Sequence, residues 1–261
     1  MNDDPVGRAE DIIAGFDAIL PEQERVLEQA AQNVKLGLER DSEVYRGFTQ
    51  LQFFILTVDF DMRVMLRALL ADPQNRLTAE KFLALTLEEA EESAGRMVNA
   101  VSKAMRTLPN DTGIHLFDIA KFDEAARAFK QAMSEMRNDK EFNKTLRLIR
   151  NTVSGHIVGD EVGVQNSAIW VLTRQGVPRD IDGVLRSQIV YYAIATLKAL
   201  SDFARGLQGT LRASSIFPRP SGADSFLGEQ RGRAIFGEER ERGAPGAADG
   251  RVAPRQSRNT V

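Results

Sequence analysis

Arg150 and His156 are the residues in this chain best suited to act together: a permanent cation and an imidazole that titrates near neutral pH. They close the stretch NKTLRLIRNTVSGHI, residues 143–157. Placed on a helix at about 100° per residue, Phe142, Leu146, Ile149, Val153 and Ile157 make one apolar stripe that faces a core. Arg150 lies roughly 80° to one side of Phe142 and His156 roughly 40° to the other, so the two groups flank that stripe. Both are therefore half shielded, and a crevice that excludes bulk water strengthens their action on a phosphate. Six residues of regular helix set the two Cα atoms about 9 Å apart along the axis. Gly155 can end or bend the helix and let the imidazole swing back. Alternatively, two copies of the chain meet about a two-fold axis and bring two such pairs into one cleft.

The residues read Arg150-Asn151-Thr152-Val153-Ser154-Gly155-His156. This resembles the arginine, polar residue, spacer, histidine motif of the HEPN superfamily, whose members are helical bundles and commonly dimers. Many are metal-independent endoribonucleases, and others have lost catalysis and serve as binding or scaffold domains. The resemblance rests on one helix and extends loosely over residues 40 to 210. It implies that His156 is a general acid or base on the ribose 2′-hydroxyl or the leaving oxygen. By the same resemblance Arg150 stabilises charge on the phosphate, Asn151 orients the pair by hydrogen bonding, and the protein is a homodimer that takes RNA.

The elements that must position this motif are helices. Asp4-Pro5 opens a short amphipathic helix carrying Ile12, Ile13, Phe16, Ile19 and Leu20 that ends at Pro21. A second helix follows to about Arg40, with Leu27, Ala31, Val34 and Leu38 inward, and together they make an N-terminal helical arm over residues 1–40. Residues 42–71 carry a seam of Val44, Phe48, Leu51, Ile55, Val58, Met62, Met65 and Leu69, with Phe53, Phe60 and Val64 opposite, so this helix is central. A turn at 72–75 leads to a helix from Thr78 to about Thr107 with Leu83, Leu87, Ala90, Ala94, Met97, Val101, Ala104 and Leu108 inward. The two seams predict an antiparallel hairpin roughly 40–45 Å long. Asp118 opens a helix to about Arg137, and Asn138 with Glu141 makes a capping-box-like start for the helix that carries the motif. A final helix spans about Gly183 to Leu211. The fold class is thus all-α, a bundle of long antiparallel helices over residues 41–211.

Residues 212–261 change in composition, with nine arginines, six acids and no lysine, which predicts a disordered tail. The tail is then about +3 and the preceding body about −6, against −3 for the whole chain. Phe217, Phe226 and Phe236 sit in short apolar patches suited to docking a protein partner, although plain linker is the commoner use of such sequence. An acidic body limits any RNA contact to a local surface.

Several other chemistries are excluded or read as scaffold. The absence of cysteine removes disulfides and thiolates, and two histidines about forty residues apart make no ordinary zinc site. Glu88, Glu89, Glu91 and Glu92 lack the histidine a di-iron bundle wants three residues on, and read as a solvated face. Asp59 and Arg63, four apart, read as a satisfied pair. His115 has no upstream arginine at motif spacing, and Trp170 reads as core before it reads as a base-stacking platform. No P-loop, no GxGxxG after a strand and no GxSxG occurs, so no cofactor and no metal is expected. The acidic N-terminus lacks a signal peptide's pattern and no apolar run spans a bilayer, which predicts a cytoplasmic protein without membrane contact. A second function class stays open beside the endoribonuclease: a non-catalytic helical adaptor that docks a partner through the bundle or the tail.

Overall fold

A computed structural model of the protein describes residues 5–149 and 180–212. Among the described residues there are eight α-helices: α1 Pro5–Glu39, α2 Glu43–Ala71, α3 Arg76–Thr107, α4 Ile119–Ala132, α5 Ser134–Asn138, α6 Lys140–Leu148, α7 Ile181–Leu185 and α8 Gln188–Gly209. Single 3₁₀ turns at Pro73–Asn75 and Ile114–Leu116 join the longer helices. The class is all-α, and the only β feature among the described residues is one antiparallel bridge between Phe117 and Leu211. No helix among them is long and apolar enough to cross a membrane.

The heart of the bundle is α2, which packs against α1 on one side, α3 on another and α8 on a third. Its seam is buried as the sequence spacing requires, from Val44 and Phe48 through Leu51, Ile55, Val58 and Met62 to Leu69. One position shifts, since Leu66 is buried and Met65 only half-buried, a consequence of 3.6 residues per turn drifting off a strict heptad. The same drift operates in α3, where Val98 and Met105 are buried in place of Met97 and Ala104. A one-turn connection folds α2 and α3 into the expected antiparallel hairpin.

Residues 5–39 form one helix, so the expected break at Pro21 does not occur. Proline removes the amide that would bond the carbonyl of Asp17, but Pro21 and Asp17 both lie on the exposed side, where water can serve that carbonyl. The buried face of α1 is as expected at Ile12 and Phe16 but departs from expectation in its second half. Ala9, Phe16, Gln23, Ala30 and Gly37 recur every seven residues against α2, whereas Ala31 and Leu38 are exposed. The seam ends in small residues, Ala30 and Gly37, and at Gly37 the helices come so close that a Cβ would lie 2.7 Å from Oγ1 of Thr49.

Two further helices predicted as continuous are divided. The path from 118 to 137 breaks at Met133, where the Ser134 hydroxyl donates to the Gln131 carbonyl at 2.7 Å and competes with the helical ladder. The last helix is split into α7 and α8, because Ser187 takes an extended backbone conformation before Gln188. The start of α4 and the end of α8 are tied by Asp118 N–H donating to the Thr210 carbonyl and Arg212 N–H to that of Leu116. Phe129 stacks on Phe203 with centroids 4.7 Å apart, and Phe48 contacts Phe117 and Phe122, so aromatic pairs join α4 to both α8 and α2.

Candidate functional site

The helix leading to the Arg150 motif is α6, and its inward stripe is as expected: Phe142, Leu146 and Ile149 are all buried. Arg150, Asn151 and His156, with Val153, Ile157 and Trp170, lie outside the described residues, as does the predicted tail from residue 213. The start of α6 is described in full and differs from expectation. Asp139, not Asn138, is the cap, with its carboxylate accepting from the Phe142 amide at 2.9 Å. The Asn143 side chain instead donates to the Met136 and Arg137 carbonyls, at 2.9 Å each, and satisfies the end of α5.

Asp139 also anchors α6 to α8. Its carboxylate accepts from the Tyr192 hydroxyl at 2.8 Å and the Gln188 amide at 2.9 Å, and the Phe142 ring lies 4.4 Å from that of Tyr192. Bonds from the Phe142 amide and the Tyr192 hydroxyl hold the Asp139 carboxyl below the usual carboxylate range. Burial, reinforced by the neighbouring Asp139 carboxylate, pushes the Tyr192 phenol up to about 12. The start of α6 is thus fixed from two directions.

Other polar clusters prove to be joints. Asp59 accepts Arg63 through both carboxylate oxygens, at 2.8 and 3.1 Å, and Ser201 at 3.1 Å, and it also accepts from Gln23. The expected α2 pair is therefore the centre of a node joining α1, α2 and α8. Arg76 and Glu80 are both buried in the first turns of α3, 4.0 Å apart. Asp111, on the loop before α4, reaches the start of α2 and accepts from the Ser42 hydroxyl and the Glu43 and Val44 amides. Burial raises its carboxyl, but bonds from Ser42, Gly113, Val44 and Glu43 outweigh this and hold it below the usual range. Gly113 is required there, because a Cβ would stand 2.4 Å from the Ser42 Oγ. The capping role of Ser42 is local and legible in the sequence, whereas the long-range arrival of Asp111 is not.

Glu91 pairs with Arg137 at 2.9 Å and Glu92 with Arg96 at 3.4 Å, and among the described residues no group of three potential metal ligands gathers. His115 is exposed on its 3₁₀ turn. A groove of about 380 Å³ that the sequence does not announce lies between α3 and α4, lined by Lys103, Arg106, Arg127 and Lys130 among others. Each helix contributes its two cations three residues apart, a spacing visible in the sequence; that the pairs face each other is visible only once α3 and α4 pack. A second cavity, of about 400 Å³, lies among α1, α2 and α3 between Val34, Phe53, Phe54 and Met97. Asp61 at its edge is raised by burial and by the neighbouring Glu89.

These joints define a helical bundle whose polar interior is structural and whose candidate chemistry lies beyond Ile149. Compared with protein-family models, curated proteins and solved structures, the chain matches none.

Proposed function

We propose that the protein is a HEPN-like, metal-independent endoribonuclease that acts through Arg150, Asn151 and His156 in the cleft of a homodimer. The observation that carries this reading is the sequence Arg150-Asn151-Thr152-Val153-Ser154-Gly155-His156, entered from a helix whose apolar stripe is buried. The spacing predicts that this stripe continues through Val153 and Ile157, which sets a guanidinium and an imidazole on its flanks, where reduced dielectric strengthens their action on a phosphate. In the reaction His156 takes the proton from the ribose 2′-hydroxyl or gives one to the departing 5′ oxygen. Arg150 neutralises the charge that builds on the phosphoryl oxygens, and Asn151 holds the pair in register.

The test is cleavage of single-stranded and structured RNA in chelator. The wild type cuts, and His156→Ala and Arg150→Ala each cut about 10²–10⁴-fold more slowly, the usual worth of a positioned acid or base. Equal cutting by wild type and His156→Ala removes the assignment. A helical adaptor without catalysis is the second reading, favoured by Leu36, Leu38 and Phe82, which leave large apolar side chains about half exposed on α1 and α3. Absence of cleavage at high protein concentration, together with a partner captured through the bundle surface or the tail, selects it.

A further inference from the structure

Resting on the reading of the protein as one that acts on RNA, we propose that the groove between α3 and α4 binds the phosphate backbone of single-stranded RNA, independently of base sequence and without contributing to the chemistry at His156. Between Glu92 and Asp111 the chain carries Arg96, Lys103 and Arg106 and not one acid, so positive charge is segregated on the C-terminal half of α3. Lys103 and Arg106 project into the groove from α3, and Arg127 and Lys130 meet them from α4. The macrodipole of each helix favours cations near its C-terminus, but it does not select a side of the helix. All four nevertheless line one trough, in a body that is otherwise acidic.

Two of the four are held in place. Asp123 accepts from Arg106 at 2.8 Å and from the Ser102 hydroxyl at 3.2 Å, and Lys130 donates to Asn99 Oδ1 at 2.7 Å. Lys103 and Arg127 are exposed and form no ion pair among the described residues, so their charge is available to a ligand. With four cations against one carboxylate, the trough suits a polyanion. From Asn99 to Thr107 the α3 wall runs about 12 Å, long enough to follow a short run of backbone phosphates. No aromatic side chain lines it, so bases have no stacking platform and recognition stops at the backbone.

The experiment is a fluorescence-anisotropy titration of a labelled single-stranded RNA with the full-length protein in chelator, over a series of salt concentrations. Wild type and His156→Ala are run in parallel, so that loss of cleavage and loss of binding are read separately. Both are expected to bind, with log K falling against log salt at a slope between about −2 and −3. The double variant Lys103→Glu/Arg127→Glu is expected to bind at least about tenfold more weakly at low salt, with the slope flattened by about 1.4. Arg25→Glu, an exposed cation on α1, leaves binding unchanged. Circular dichroism and thermal melting confirm that the variants fold, and the neutral single variants Lys103→Ala and Arg127→Ala replace the double variant if it does not. Undetectable binding by wild type at low salt, or equal binding by wild type and folded groove variants, overturns the proposal. So does binding of inorganic polyphosphate without RNA, which reassigns the groove to a free polyanion.

Discussion

Asp59 illustrates how one carboxylate fastens three helices. It is buried, is held by both branches of Arg63 and receives Gln23 from α1 and Ser201 from α8. Asp59→Ala leaves the largely buried Arg63 guanidinium without its counter-charge and is expected to cost about 2–4 kcal/mol in urea unfolding. Tyr192 gives a pH-dependent counterpart. Its phenol is favoured in the folded protein, so the stabilisation it contributes is complete below pH 10.0 and is lost as pH rises toward about 12. The Asp139 carboxylate, lowered on folding, has the opposite sign: its contribution is present above the ordinary aspartate range and is lost as pH falls below it. Tyr192→Phe therefore flattens the fall of the urea midpoint at alkaline pH, and a midpoint profile identical to wild type would show that the Tyr192–Asp139 bond contributes nothing.

Between elements, contact distance decides what a sequence position tolerates. A Cβ on Gly206 of α8 would lie 2.7 Å from Cβ of Ala125 on α4, and neither group is a flexible chain end. Gly206→Ala is expected to lose about 1–2 kcal/mol, since forcing α4 from α8 outweighs the roughly 1 kcal/mol gained in helix propensity. At Gly95, in α3, a Cβ would meet nothing within 4 Å. The same substitution there should raise stability by about 0.5–1 kcal/mol. Thermal melts of the two variants are expected to move in opposite directions although both glycines are helical. Pro21 makes the same point from the solvent side, since only the outward face of α1 leaves the unserved carbonyl of Asp17 accessible to water.

On the scale of the whole molecule, α1 covers one flank of α2 along its length and supplies Gln23 to the node around Asp59. Deleting residues 1–39 uncovers that flank, and the remaining chain is expected to bind a hydrophobic dye and to unfold without a sharp transition. A cooperative melt at the full-length midpoint would mean that α1 is an accessory. The helical class, the α2–α3 hairpin, the burial of Phe142, Leu146 and Ile149, and the pairing of Asp59 with Arg63 were all legible from residue order. Each depends on neighbours three or four positions apart on one helix. The inward face of the second half of α1, the tolerance of Pro21, the break at Ser187, the cap at Asp139 and the reach of Asp111 to Ser42 were not. They are settled by how closely separate helices approach and by which polar groups meet across that gap. Of the candidate site, Arg150, Asn151 and His156 belong to sequence alone, since spacing on a single helix suggested them. The cationic trough belongs to tertiary structure, because Lys103 and Arg106 become partners of Arg127 and Lys130 only when packing the apolar faces of α3 and α4 turns their charged edges toward each other.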